Sequence, residues 1–317
     1  MDDNIKSFIS FTEKENFNPE IKYGSFFFPN PYLLYSLLEI CCYYGAVNCF
    51  KFLRTKYDSN ITSTCLDFSF LGGNPDIMNE CLKFFIPNLS SMMFAIISNN
   101  IDFVTFLMNE FLLKIDLEEC IKYNNLQAFL VYLDQTNQMN KCFIYSSGFN
   151  IPSLCQYFLS NGVDINTKDN FGKTALHIAT VYNSIEVVEY LIEQGININS
   201  QDDEGETALH YTVSYNRKEI AEILIKHGID ANIKDMNDYK AIDYLNKYDC
   251  NETLDFLFTN FGIHKNEVIR SENYNFSPGT AVLSFCDCEN ANEQNDLKIT
   301  QEIENANQKR HNSSCRI

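Results

Sequence analysis

An eleven-residue block occurs twice in this chain, 33 residues apart. DNFGKTALHIA begins at Asp169 and DDEGETALHYT begins at Asp202. Asp169, Gly172, Thr174, Ala175, Leu176 and His177 thus recur as Asp202, Gly205, Thr207, Ala208, Leu209 and His210. Gly162, Gly195 and Gly228 keep the same step, and each precedes a short polar run: Asp164-Ile165-Asn166, Asn197-Ile198-Asn199 and Asp230-Ala231-Asn232. A fixed period of this length restricts the fold to a repeat architecture. One such unit is too small to bury its own apolar face, and stacking neighbours makes the core continuous.

Each unit reads as two short helices and a turn. Thr174 opens a first helix carrying Ala175, Leu176 and Ala179, and Asn183-Ser184 turns the chain. Val187, Val188, Leu191 and Ile192 then lie at helical spacing on one face. Gly195 ends that helix, as a residue tolerant of the left-handed conformation does. The stretch from Asn197 to Glu206 is rich in Asn, Asp and Gly and reads as an extended turn. Residues 136–168 keep Phe143, Leu154, Phe158, Leu159 and Gly162 but lack the TALH core. Residues 235–262 replace it with Lys240-Ala241-Ile242-Asp243, and an atypical last unit suits a cap.

The G-x-T-A-L-H-x-A core, the period and the D/N-x-N ending resemble the ankyrin repeat, clearly at 169–201 and 202–234. Thr212 takes the last alanine position of the second unit. The resemblance implies structural work for His177 and His210, each tying its hairpin together with the Thr three residues before it. It also implies partner binding through hairpin tips and the exposed face of the first helices, which form a concave groove. Carried over position by position, the candidates are Asn170, Phe171, Lys173, Val181 and Tyr182 in one repeat, and Asp203, Glu204, Glu206, Ser214 and Tyr215 in the next. In the third they are Met236, Asn237, Tyr239, Lys247 and Tyr248. Phe171, Tyr182, Tyr215, Tyr239 and Tyr248 would form an aromatic ladder beside acidic residues, fitting a partner segment of apolar and basic character. Packing against neighbouring repeats is the alternative role for each aromatic.

The first half has a shorter rhythm. Segments beginning at Tyr44, Gly73, Asn99 and Asn124 each read as a second helix, recurring about every 25–29 residues. That period has room for two helices but none for a long hairpin. Phe103, Phe106 and Leu107, and Phe129, Leu130, Tyr132 and Leu133, fall at helical spacing and read as core. The wording of CCYYGAVNCFKFLRTK, FSFLGGNPDIMNECLK, AIISNNIDFVTFLMNE and YNNLQAFLVYLDQTN is similar to an uncharacterised helical domain. That domain precedes ankyrin repeats in a large family of protist, trichomonad-type proteins. The expected fold is an all-α, ankyrin-type helical-repeat solenoid with short hairpin turns and degenerate helical pairs at the amino end. Its expected parts are an extension (1–29), a degenerate repeat domain (30–135), ankyrin repeats (136–262) and a mostly disordered tail (263–317). In that tail, from about Ser271, Asn, Glu, Gln and Ser replace apolar residues.

The net charge of −18 opposes nucleic-acid binding, which needs a basic face, and disfavours an anionic membrane surface. No apolar run approaches the roughly 20 residues that span a bilayer. The start, Met1-Asp2-Asp3, is unlike a secretory leader, so a cytoplasmic protein, monomeric by itself, is expected. Of the 12 cysteines, Cys41, Cys49, Cys81, Cys120 and Cys155 sit on apolar helical faces as small buried hydrophobes. The tight groupings, Cys41-Cys42 with Cys49 and Cys286-Asp287-Cys288, lack metal-site spacing. Gly172-Lys173-Thr174 supplies only the end of a P-loop, since Thr167 stands where that motif needs glycine. No catalytic residue, metal site or cofactor is expected. The chain reads as a protein-interaction scaffold or adaptor; the alternative is a regulatory or targeting subunit of an enzyme complex.

Overall fold

The computed structural model describes residues 3–14, 17–25, 28–29 and 32–246, with Thr253, Phe256, Leu257 and Thr259 beyond them. The expected tail, Lys247, Tyr248, Cys286 and Cys288 lie outside the described residues. Helix α1 (Ile5–Thr12) comes first, then a two-residue antiparallel pair, β1 (Lys22–Tyr23) with β2 (Tyr35–Ser36). The rest is built from helix pairs. They are α2 (Leu37–Tyr44) with α3 (Val47–Tyr57), α4 (Ser63–Gly72) with α5 (Pro75–Leu82), and α6 (Leu89–Ile97) with α7 (Ile101–Phe111). Next come α8 (Leu117–Lys122) with α9 (Leu126–Thr136), and α10 (Met139–Ser146) with α11 (Pro152–Ser160). The series continues with α12 (Ala175–Val181) and α13 (Ile185–Glu193), then α14 (Ala208–Ser214) and α15 (Lys218–Lys226). A 3-10 helix at Ala241–Asn246 stands where the next first helix would be.

The pairs form a two-layer, all-α helical-repeat solenoid. First helices pack in order, α2 on α4, then α6, α8, α10, α12, α14 and the 3-10 turn. Second helices form the other layer, with α3 on α5, α7 on α9, and α11 on α13 and then α15. A single left-handed residue turns the chain between the helices of every pair: Gly45, Gly73, Asn99, Asn124, Asn150, Asn183 and Asn216. Glycine and asparagine tolerate that conformation best. The steps between these residues are 25 to 28 up to Asn150 and 33 afterwards. The difference is the linker: residues 137–138 join α9 to α10, whereas 161–174 join α11 to α12.

Aromatics account for much of the core of the first half. Phe68 meets Tyr35, Tyr43 and Phe94 at ring-centroid distances of 5.0, 5.5 and 5.6 Å. Gly72 lets backbones touch, because a Cβ there would lie 2.0 Å from the Cys42 carbonyl oxygen. Phe129 of α9 reaches Phe149 and Phe158 at 5.2 and 6.5 Å, and Phe143 meets Phe158, so the core runs unbroken from short to long repeats. Cys41, Cys49, Cys81, Cys120 and Cys155 are buried. Burial pushes the Cys120 thiol up to about 12 and the Cys155 thiol up to about 11, which keeps both protonated.

Phe103, Leu107 and Phe129 are core, while Phe106, Tyr132 and Leu133 are half-buried against it. Leu130 departs from the expectation: it is 44% exposed and lines an apolar groove with Leu126, Leu133, Ile151, Leu154 and Tyr157. Its place on α9 faces the gap beside α11, a geometry that helical spacing alone does not reveal.

Candidate protein-binding face

Each long linker folds into a finger with the same hydrogen bonds. Asp169 donates its N–H to Lys173 O at 2.9 Å, Asp202 to Glu206 O at 2.9 Å, and Asp235 to Tyr239 O at 2.8 Å. Oδ1 of each aspartate accepts two N–H groups: Phe171 and Lys173, Glu204 and Glu206, Asn237 and Tyr239. The tip needs a left-handed residue, supplied by Gly172, Gly205 and Asp238. Fingers stack in register, since Asp203 N–H donates to Phe171 O at 3.0 Å and Met236 N–H to Glu204 O at 2.9 Å. The recurring asparagines also join neighbours: Asn166 Oδ1 accepts from Asn197 N–H, and Asn199 Oδ1 from Asp230 N–H.

His177 and His210 sit behind the fingers. Nδ1 of His177 accepts the Thr174 N–H at 3.1 Å, so the ring proton is on Nε2, which donates to Glu206 O of the next finger at 3.1 Å. His210 repeats this between Thr207 and Tyr239 O. The histidines therefore fasten one repeat to the next as well as closing their own hairpin. Burial lowers the His177 pKa to about 4, outweighing the nearby Asp202 carboxylate, and burial lowers that of His210 as well. Neutral rings with both nitrogens engaged are not free for metal or acid–base work.

The outer oxygens of the finger aspartates are taken by tyrosines. Tyr211 Oη donates to Asp202 Oδ2 at 2.8 Å, and Tyr244 Oη donates to Asp235 Oδ2 at 2.9 Å with Glu206 Oε1 at 2.6 Å. Ile178 holds the matching place in the first long repeat, and Tyr145 of α10 serves Asp169 instead, at 3.4 Å. Burial first, then these carboxylates, drives the Tyr211 and Tyr244 hydroxyls well up, so they remain donors.

The family model for ankyrin repeats, in three copies, matches residues 142–235. Residues 142–235 are ankyrin repeats. A second family model, for the domain of unknown function DUF3447, matches residues 57–132, so that domain precedes the ankyrin repeats. No curated protein matches the chain. Ankyrin repeats support protein–protein interaction and are typically non-enzymatic. Among the described residues, no group of three or more His, Cys, Asp or Glu is placed to hold a metal ion. No helix among them is long and apolar enough to cross a membrane.

The candidate residues divide by environment. Asn170, Phe171, Asp203, Glu204, Tyr215, Met236 and Asn237 are exposed on the fingers and the end of α14. Phe171, Tyr215 and Met236 are 64%, 40% and 73% exposed, and Tyr215 stacks on Tyr211 at 6.0 Å. Lys173, Val181, Tyr182, Glu206, Ser214 and Tyr239 are half-buried, and several hold the repeats together. Lys173 Nζ lies 5.4 Å from the Tyr211 ring centroid, and Val181 O accepts from Arg217. Tyr182 Oη reaches Glu118 O at 3.5 Å, and its ring comes within 3.1 Å of where a Cβ on Gly148 would stand. Of the aromatic ladder, Phe171 and Tyr215 are open to solvent, Tyr182 and Tyr239 are half-buried, and Tyr248 lies outside the described residues. Helix α8 is an addition: Asp116, Glu118 and Glu119 carry the DUF3447 domain to the face of Tyr145 and Tyr182. Glu118 is itself raised, by burial first and then by Asp116.

Proposed function

We propose that this protein is a cytoplasmic interaction scaffold or adaptor, holding a partner protein across the fingers and the first helices of its ankyrin repeats. The observation that carries this reading is the trio Phe171, Tyr215 and Met236, apolar and exposed beside the acidic pair Asp203 and Glu204. Large side chains of this kind anchor interfaces when a partner covers them. Carboxylates around them favour a partner segment with apolar and basic residues. Asn170 and Asn237 offer polar contacts at the rim, and Lys173, Val181, Tyr182, Glu206, Ser214 and Tyr239 complete the face.

The test is a triple variant, Phe171→Ala, Tyr215→Ala and Met236→Ala, in the full chain. Affinity purification from the native cell with quantitative mass spectrometry should show one or more partners depleted at least tenfold relative to wild type, as loss of about 1.4 kcal/mol gives. An unchanged partner set sinks this placement. Partners that persist in the triple variant and are lost only when residues 30–135 are altered favour the second reading, a targeting subunit of an enzyme complex.

A further inference from the structure

The finger stack has an open leading edge in mid-chain. Each later finger uses one backbone N–H to bind the finger before it, Asp203 to Phe171 O and Met236 to Glu204 O. The same position in the first finger is Asn170, 33 residues before Asp203. No finger precedes it, because residues 137–138 join α9 to α10 directly. Among the described residues the Asn170 N–H has no acceptor. The place a preceding finger would fill is a cleft of about 590 Å³ between the first turn of α10 and the first finger. No side chain caps α10, and Asn140 and Lys141, which line the cleft, have backbone N–H groups with no acceptor among the described residues.

The charge of the cleft differs from that of the molecule. Its charged lining residues are Lys141, Lys168 and Asp169. Asp169 is already committed to Phe171 N–H, Lys173 N–H and Tyr145 Oη. Lys141 is exposed, its Nζ 5.5 Å from the Tyr132 ring centroid and 5.8 Å from that of Tyr145. Lys168 is exposed and donates to Gln201 O. The lining thus holds two lysines against one carboxylate, with Asp116 and Glu118 near Tyr145 at its border, on a chain of net charge −18.

We propose that this cleft docks an extended acidic segment of a partner protein in the place of the missing finger. A backbone carbonyl of that segment accepts the Asn170 N–H, and its carboxylates face Lys141, Lys168 and the open first turn of α10. Strand addition at an unpaired edge combines backbone bonds for affinity with side-chain contacts for specificity. The cleft shares Asn170 and Phe171 with the face proposed above, whereas Tyr215 and Met236 take no part in it, so shifts at those two residues distinguish the two sites.

The second finger supplies the probe. A peptide copying residues 200–207 (SQDDEGET), closed by added terminal cysteines, presents the Glu204 carbonyl as the stack does. Titrated into the isotope-labelled full chain, it should bind saturably and shift the amides of Asn170 and Lys141. The same peptide with Asp203→Lys and Glu204→Lys should not bind. Asn170→Pro removes the N–H at the first central position of a four-residue turn, where proline is favoured. It should weaken binding about fivefold, the equivalent of one hydrogen bond near 1 kcal/mol, with an unchanged melting temperature. Lys141→Glu should weaken it by at least as much and remains informative if the proline variant fails to fold. Equal binding of the lysine peptide, shifts confined to Tyr215 and Met236, or no binding would each overturn the proposal. So would dimerisation of the chain that Lys141→Glu abolishes, which would assign the cleft to a second copy.

Discussion

Replacing His177 with asparagine should remove a titration that makes the fold sensitive to mild acid. His177 is 1% exposed. Its Nδ1 takes the Thr174 N–H, and its Nε2–H reaches Glu206 O. Burial lowers its pKa from 6.5 to about 4, so the unfolded chain binds this proton more readily than the folded chain. Stability then rises with pH between those values: the contribution is full above 6.5, falls as pH drops toward 4, and is flat below. At roughly 1.4 kcal/mol per pH unit, the gap is worth about 3 kcal/mol between pH 7 and pH 4. Asparagine keeps an acceptor near Nδ1, does not titrate, and forfeits the bond to Glu206 O. At pH 7 it should cost about 1–3 kcal/mol, the range for leaving a buried polar group without its partner. Urea unfolding followed by far-ultraviolet circular dichroism, at half-unit steps from pH 7.5 to 4.5, gives both numbers. The wild type should lose up to about 3 kcal/mol more than the variant over that range. Equal pH dependence in the two proteins would refute the account of His177 as a neutral, buried strut.

Other outcomes follow from the same geometry. Gly172→Ala places a Cβ 2.7 Å from Asp203 N at a φ of +73°, whereas Gly162→Ala meets open space at a φ of +84°. The first should therefore lower the urea midpoint clearly more than the second, which carries only about 1 kcal/mol of backbone strain. Tyr211→Phe removes the donor to Asp202 Oδ2 and should cost about 1–3 kcal/mol, measured by the same unfolding curves. Phe158→Ala empties the contact between short and long repeats and should cost about 3–5 kcal/mol. Proteolysis of that variant should then cut between residues 136 and 168, where wild type resists. Phe171→Ala, Tyr215→Ala and Met236→Ala should each leave the melting temperature nearly unchanged, because exposed side chains contribute within about 0.5 kcal/mol.

Much of this was legible in the chain itself. A stacked unit must place the same residue in the same environment every 33 positions, so the recurrence of Asp169, Gly172, Thr174 and His177 already specified the repeating unit, and the resemblance to ankyrin repeats implied the structural role of the histidine. The short steps at Gly45, Gly73, Asn99 and Asn124 likewise announced helix pairs without fingers. The structure adds that these glycines and asparagines take the left-handed conformation at each turn. Partner-facing positions were less legible, because periodicity identifies a place in the repeat and says little about its neighbours. Tyr182 and Tyr239 occupy such places, yet one is held against α8 and the other gives its carbonyl to His210. Leu130 matched the core spacing and lies open because α9 and α11 leave a groove between them.

What sequence alone determined is therefore the unit: two short helices joined by a turn, a helix-ending glycine and an extended Asn-, Asp- and Gly-rich stretch leading to the next unit. Local hydrogen bonds and helical periodicity act over a few residues, and the string of residues carries them directly. Tertiary structure decided how unlike units meet. It set Tyr145 to serve Asp169 in place of Ile178, and it brought Glu118 of the DUF3447 domain to Tyr182 of the ankyrin repeats. It also left the first finger without a predecessor, beside Lys141 and the open turn of α10. Those outcomes depend on packing between segments distant in the chain, at the point where the step between turns changes from 25–28 to 33 residues.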